Sequence, residues 1–229
     1  MRDVTLAIET SNPSGVAPGA SARPGIALLR AGAPLAVEPI NTANPQHDDL
    51  MSAIDRAATA ASVTPRDITR IAVSIGPGGF TNVRIAVTCA RMIAEVTGAT
   101  LIPVPTALVV ALSTPHTGPA AIALASKGDT AHITLVHQGL ITAEGRIMDA
   151  AALAHLSITT LIGDTFLPQP MRDLVATKGW QLLAPTFDPL ACARAAETLP
   201  TVDPAQLAPI YPREPEAVTK WRAMHAAKK

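Results

Sequence analysis

The chain has 229 residues, of which 48% are hydrophobic and 16% are charged, and this length allows one large domain or two small ones around a sizeable core. The formal net charge is zero and aromatic residues make up 3%. Both values argue against a protein that binds nucleic acid through its own surface, because such binding needs basic residues for the phosphates and aromatic rings for the bases. Two cysteines, Cys89 and Cys192, are too few for a disulfide framework or a zinc site.

The sequence begins directly with a strand pattern, so we expect no signal peptide. Three β-rich segments predict an antiparallel meander: Val4–Glu9, Gly25–Arg30 and Pro34–Ile40. The first connection, Asn12–Pro24, is long and rich in Pro, Gly and Ala. No apolar run approaches the ~18 residues that a membrane span needs. The expected lack of a signal peptide and of a membrane span, together with free thiols typical of a reducing compartment, predicts a cytoplasmic protein.

The next elements alternate between helix and strand. Apolar residues recur at the spacing of one helix face over Gln46–Ala61, which predicts a helix. A nearly continuous apolar run at Arg70–Ile75 predicts a strand inside a sheet. A glycine loop follows, then a helix over about Thr81–Thr97 and a strand at Thr100–Val104.

The glycine loop, GPGGFT, is a candidate anion site because it lies between a strand and a helix N-terminus. Gly76, Gly78 and Gly79 allow backbone conformations with positive φ, and Thr81 is the predicted N-cap. A tight turn with no ligand explains the same glycines equally well. The GPGGFT loop is not a Walker loop, because no Lys-Ser/Thr follows at the required position.

The helix after the loop has a narrow polar stripe formed by Arg84, Thr88, Arg91 and Glu95. A cation in the first turn, such as Arg84, is disfavoured by roughly 0.3–1 kcal/mol, so we expect a phosphate or a carboxylate to face it. The rest of the helix is apolar over much more than the ~100° needed to cover its own sheet. A second face should therefore be buried, either inside the chain or against another subunit.

Pro103 and Pro105 mark the predicted boundary between residues 1–104 and residues 105–229. Beyond it we predict these helices: Thr106–Leu112, Asp149–His155, Met171–Ala176 and Pro189–Thr198. The predicted strands are Ala120–Ala125, Ala131–Gln138 and Ile158–Ile162. Both halves run from strands to a helix to a strand, which predicts two similar lobes of the α/β class. From Tyr211 onward the tail has five Lys/Arg and two Glu.

No metal site is predicted. A helical zinc motif needs two histidines four residues apart, and that spacing is missing among the six histidines: His47, His116, His132, His137, His155 and His225. His132 and His137 would point to opposite faces of one strand. A zinc protease is therefore poorly supported.

Six segments resemble, in the same order, the motifs of the TsaB (YeaZ) family, and together they cover nearly the whole chain. GPGGFTNVRIA at residues 76–86 is similar to the family's GPGSFTGLRIG, and LAIETS to its LALDTS. The others are NPQHDDLMSAID, IPVPTALVVA, LIGDT and APIYPREPEAV. Gly79 and Asn82 depart from the loop motif, and the Asn12–Pro24 connection is much longer than the family's tight turn.

The resemblance implies two ribonuclease-H-like lobes of the actin/hexokinase/Hsp70-like superfamily, with mixed sheets flanked by helices. It implies a non-catalytic dimerisation or scaffold subunit of the complex that transfers a threonylcarbamoyl group to N6 of adenosine 37 in tRNA. The implied partners are a TsaD-like catalytic subunit and a TsaE-like ATPase. The chain would meet tRNA only through the complex and would form a homodimer when alone.

For catalysis, the resemblance implies that this chain is not an enzyme by itself. The stretch equivalent to the catalytic relative's paired metal-binding histidines is Thr106–Leu112, which has no ligand. The candidates for binding a nucleotide or anion are Glu9, Thr10, Ser11, Gly76, Gly78, Gly79, Thr81, Arg84 and Asp164. We expect no tightly bound cofactor, with ATP or ADP and Mg²⁺ at a subunit interface left open. The alternative is an actin-like ATP-dependent small-molecule kinase or ATPase.

For the interface, the family is thought to pair with its catalytic partner through the helices predicted at Gln46–Ala61 and Thr81–Thr97. The residues that we expect in this contact are His47, Leu50, Ile54, Ala57, Val83, Val87 and Arg91. The alternative, in which both helices are wholly internal, stays open at this point.

Overall fold

The computed structural model describes residues 3–16, 22–41, 49–213, 218, 221–222 and 224–225. The predicted His47 contact therefore lies outside the described residues. The six α-helices of this part are α1 Leu50–Ala61, α2 Phe80–Thr97, α3 Thr106–Ser113, α4 Ala150–Leu153, α5 Gln169–Lys178 and α6 Pro189–Ala195. No helix here is both long enough and apolar enough to cross a membrane.

The first sheet has five strands in the order β3-β2-β1-β4-β5. They are β1 Val4–Glu9, β2 Gly25–Arg30, β3 Ala33–Pro39, β4 Ile68–Ser74 and β5 Thr100–Val104. The first three are antiparallel, which confirms the predicted meander, and β4 is parallel to β1 and β5. The β4 strand is internal, in agreement with its continuous apolar run.

The second sheet has five strands in the order β10-β9-β6-β7-β8. They are β6 Ala120–Lys127, β7 Thr130–His137, β8 Leu140–Asp149, β9 Thr160–Gly163 and β10 Gln181–Leu183. In each sheet the first strand is central, pairing antiparallel with the second and parallel with the fourth. The two sheets therefore share one connectivity, and the α/β fold has the two lobes of the actin/HSP70-like class.

Helices cover both faces of the first sheet. On one face α1 and α2 pack over residues such as Leu6, Ile8 and Ile71. On the other face lie α3 and α6. Six of the eight residues of α3 are buried, because this helix also packs on Ile122 and Phe187 in the second lobe. The division at 104/105 stays a prediction, and α6, from beyond it, packs on the first sheet.

Several predicted boundaries needed correction. The helix predicted from Gln46 begins at Leu50 among the described residues, and Asp49 is its N-cap. The helix predicted over Asp149–His155 is only Ala150–Leu153, after a long strand, β8, that we did not predict. The short strand β10 was also not predicted. Most residues of β8 are exposed, so no alternation of buried and exposed positions marks it in the sequence.

Candidate functional site

The first candidate site begins at the carboxyl end of β1, where Glu9 is fully buried. The Ser11 N–H and the Ser11 hydroxyl donate hydrogen bonds to Glu9 Oε1 at 2.8 and 2.6 Å. Among the described residues, Glu9 Oε2 has no hydrogen-bond partner. Burial raises the pKa of the Glu9 carboxyl, and the two bonds from Ser11 oppose this only in part. The raised pKa shifts this carboxyl towards its neutral form, which is a poor ligand for Mg²⁺.

The glycine loop packs directly on the segment after Glu9. The Gly79 N–H donates to the Ser11 carbonyl oxygen at 2.8 Å. A Cβ atom at Gly78 would lie only 2.5 Å from that same oxygen, and one at Gly76, where φ is +99°, would lie 3.1 Å from the Ile210 carbonyl oxygen. The glycines therefore serve close packing of the chain on itself. The Gly79 N–H, which an anion at the helix N-terminus could otherwise bind, already donates to Ser11.

The prediction that Thr81 caps the following helix was wrong. The N-cap of α2 is Gly79, with extended backbone, and α2 starts at Phe80. Thr81 is an exposed residue of the first turn. A glycine is acceptable at the N-cap, and a Cβ here would lie 2.9 Å from the end of the Asn82 side chain, which would have to move aside.

Asp164 follows β9 in the second lobe and is almost completely buried. Its Oδ1 accepts a hydrogen bond from the Phe166 N–H at 2.9 Å, the pattern of an Asx turn. Its Oδ2 faces the first connection, since a Cβ at Gly15 would lie 3.2 Å away. Burial raises the pKa of the Asp164 carboxyl, and the hydrogen bond from Phe166 opposes this shift.

These contacts show how the space beside the two carboxyl groups is used. Ser11 meets the glycine loop, Asn12 is buried, and the short 3₁₀ turn Pro13–Gly15 reaches Asp164. The start of the long Asn12–Pro24 connection thus packs among Ser11, the glycine loop and Asp164, which were candidates for binding a nucleotide or anion. Within the described ranges, no group of three or more His, Cys, Asp or Glu is placed to hold a metal ion.

Arg84 does not join these residues. Its guanidinium carbon lies 4.1 Å from the centre of the Phe80 ring, a cation–π contact on the exposed side of α2. In the described part of the chain no carboxylate forms an ion pair with Arg84, so a phosphate or a partner's carboxylate at this position stays a prediction.

The second candidate site is a groove of about 580 Å³ between α1 and the outer side of α2. Its lining is nearly all apolar and includes Met51 of α1 with Ile85, Met92, Ile93 and Val96 of α2. Met51, Met92 and Val96 are exposed, Val96 to 85%. We define this set of residues, together with Pro65, Arg84, Thr88, Cys89 and Thr97, as the α1–α2 groove.

The predicted contact residues were on the wrong side of these helices. They are buried in the chain's own core against the first sheet: Leu50, Ile54, Ala57, Val83 and Val87. Each helix packs its most apolar stripe on the sheet, because that contact buries the largest apolar area. Only Arg91 of the described candidates is exposed.

The sequence contains a signal for the groove that we missed. Thr88, Met92 and Val96 follow one another at intervals of four, so Met92 and Val96 continue the exposed row that starts with Arg84. Large apolar residues in a row with polar ones indicate an exposed apolar surface rather than a core.

Comparison with known proteins gives one family and a fold. The family model described as "TsaD: tRNA N6-adenosine threonylcarbamoyltransferase" matches residues 37–199, which is more than half of the chain. None of the curated proteins searched matches significantly.

Two solved structures cover nearly the same length. YeaZ from Pseudomonas aeruginosa is 18% identical, with a TM-score of 0.67, over 91% of this chain and 99% of that one. An uncharacterised protein described as similar to peptidase YeaZ, from Pseudomonas aeruginosa, is 20% identical, with a TM-score of 0.63, over 92% of this chain and 100% of that one. At these identities the structures show a shared fold.

Proposed function

Because the chain belongs to the TsaD family and its fold is TsaB/YeaZ-like, we propose that it is a non-catalytic dimerisation or scaffold subunit of the tRNA threonylcarbamoyltransferase complex. In this role it binds a TsaD-like catalytic subunit, and a TsaE-like ATPase joins the assembly. It works in the cytoplasm and meets tRNA through the complex. Alone, it pairs with a second copy of itself.

The observation that carries the proposal is the α1–α2 groove. Soluble monomers seldom expose a large contiguous apolar surface unless it binds a partner. Here three large side chains, Met51, Met92 and Val96, are exposed together on two adjacent helices. Methionine adapts to irregular partner surfaces because it is unbranched and polarisable. A helix of the partner, or α1 and α2 of a second copy, would fill this groove.

The non-catalytic part of the proposal is supported by the closed region around Glu9 and Asp164. Residues 11–15 pack between the glycine loop and Asp164, and burial raises the pKa of both carboxyl groups. Mg²⁺-bound phosphates need open space and ionised oxygen ligands. ATP or ADP with Mg²⁺ would therefore have to bind outside this region, at a subunit interface, in our proposal.

The retained glycine loop and Glu9 are the features that favour the alternative, an actin-like ATP-dependent kinase or ATPase. The Gly79 N–H of that loop is already bonded to Ser11, which weighs against the alternative.

The test is co-purification with the TsaD-like protein from the same cell, using Met92→Glu and a matched control, Leu140→Glu. Both residues are about two-thirds exposed, but Leu140 lies on β8 in the second lobe, away from the groove. An unpaired charge in a closed contact costs several kcal/mol, so Met92→Glu should abolish association and Leu140→Glu should leave it intact.

Two results would contradict the proposal. One is retention of the TsaD-like protein by Met92→Glu at the wild-type level. The other is failure of the wild-type chain to bind it at all. Sedimentation of the isolated variants tests the homodimer with the same pair of substitutions.

A further inference from the structure

The outer side of α2 carries charges of opposite sign near its two ends. The helix runs over Phe80–Thr97, with Arg84 near its N-terminus and Glu95 in its last turn. Both residues are exposed, and within the described ranges neither of them forms an ion pair. They are eleven residues apart in the sequence, which places them on one side of the helix, about 16 Å apart along its axis.

Each charge lies at the unfavourable end of its own helix. The N-terminus of a helix carries a partial positive charge and the C-terminus a partial negative charge, so a cation is disfavoured at the first and an anion at the second. Arg84 and Glu95 have the opposite arrangement. A second helix running antiparallel to α2 would reverse both effects, because its C-terminus would lie beside Arg84 and its N-terminus beside Glu95.

A second copy of α2 fits this pattern. When two α2 helices lie antiparallel about a two-fold axis, Arg84 of each copy lies opposite Glu95 of the other, and symmetry repeats the contact. The same register places Thr88 opposite Met92 of the second copy, between the two ion pairs. A parallel arrangement would instead bring like charges together, which is destabilising.

The apolar residues of the α1–α2 groove agree with this arrangement. Met92 and Val96 line the groove and are 65% and 85% exposed. In the antiparallel pair they would be covered by the second copy, and the charges of Arg84 and Glu95 would lie at the edge of the covered area. An apolar centre with a polar rim is the usual composition of a protein interface.

We propose that the isolated chain self-associates through antiparallel α2 helices, with Arg84 of each copy paired to Glu95 of the other. This inference rests on the proposed function, in which the chain pairs with itself when alone. It adds the relative direction of the helices and the two residues that fix it. The occupant of the α1–α2 groove in the isolated protein is thus α2 of a second copy.

The test is a charge swap, in which sedimentation of the full chain gives the dissociation constant of the dimer. Arg84→Glu and Glu95→Arg should each weaken self-association by about 10-fold or more, because each substitution turns two ion pairs into two like-charge contacts, and each such contact changes affinity by roughly twofold to fivefold. The double variant restores opposite charges and should dimerise within about threefold of the wild type.

Two other swaps are matched controls for the register. Arg91 is exposed on the same helix, four residues from Glu95, and Arg91→Glu combined with Glu95→Arg should not restore the dimer. Asp55 is exposed on α1, and Arg84→Glu combined with Asp55→Arg should not restore it either. Circular dichroism should show wild-type folding of every variant, because all the substituted residues are exposed.

Four outcomes overturn the inference: a wild type that stays monomeric, single variants that dimerise as the wild type does, a double variant of Arg84 and Glu95 that fails to recover the dimer, and recovery by either control swap. Recovery by the swap of Arg84 with Glu95 alone supports it. Co-purification with the TsaD-like protein judges the proposed function separately, because sedimentation of the isolated chain measures only the contact between two copies.

Discussion

Two neighbouring residues of α1 test which side of this helix is available to a partner. Leu50 is 1% exposed and Met51 is 58% exposed. Leu50 packs in the core of the first lobe, and Met51 lines the α1–α2 groove. Leu50→Glu should unfold the chain, whereas Met51→Glu should leave it folded and prevent association.

The magnitudes follow from these positions. Leu50→Glu loses about 1.5–3 kcal/mol of apolar burial and places an unpaired carboxyl group in the core, which costs about 3–5 kcal/mol more. The sum, about 4.5–8 kcal/mol, is as large as the whole stability of a domain at the lower end of the usual range of roughly 5–15 kcal/mol. Met51→Glu changes a surface position and should alter the free energy of unfolding by about 0.5 kcal/mol or less.

Urea unfolding followed by circular dichroism gives the free energy of unfolding of each variant, and sedimentation gives association. The reasoning is refuted if Leu50→Glu folds with wild-type stability, because Leu50 would then not be a core residue. It is equally refuted if Met51→Glu associates like the wild type, because the groove would then not be the contact.

Three further predictions concern the closed region. Gly78→Val should lower the melting temperature, because its Cβ would lie 2.5 Å from the Ser11 carbonyl oxygen; wild-type melting would mean that the loop is not packed as described. Folding raises the pKa of Glu9 above its ordinary value of 4.5, so the folded chain holds this proton more tightly and its free energy of unfolding falls as pH rises above that value. The free energy of unfolding of Glu9→Gln, measured in urea at acidic and at neutral pH, should fall less between these pH values than that of the wild type. An unchanged pH dependence would contradict the raised pKa of Glu9. Mg-ATP should not shift the melting of the isolated chain, whereas a ligand at 100 times its dissociation constant would add about 2.7 kcal/mol and favour the alternative, an ATP-dependent enzyme.

Much of the first lobe could be predicted because its sequence patterns are strong. The strands Val4–Glu9, Gly25–Arg30 and Thr100–Val104 have the predicted bounds, since each is a short β-rich or apolar run with clear ends. Gly98 ends α2 in the left-handed conformation, as expected for a helix C-terminus. The longer of the two missed strands, β8, is an exposed edge strand, and an edge strand leaves a weak pattern because little of it is buried.

The sites were harder to predict because sequence periodicity does not say what covers a helix face. The α2 helix does have apolar residues beyond those that cover its own sheet, as predicted. However, Val83 and Val87 pack on that sheet, and the exposed apolar residues are Met92 and Val96. Likewise, the length of Asn12–Pro24 was evident, but its packing against Asp164 depends on a tertiary contact through Gly15.

The most direct test of the account is transfer of the threonylcarbamoyl group from supplied threonylcarbamoyl-AMP to tRNA, with release of AMP, measured with purified chain, TsaD-like subunit and TsaE-like ATPase in every combination. We predict no transfer by this chain alone, full transfer when all three are present, and loss of transfer when Met92→Glu replaces the wild type. Transfer by the isolated chain, or full transfer in its absence, would contradict the account.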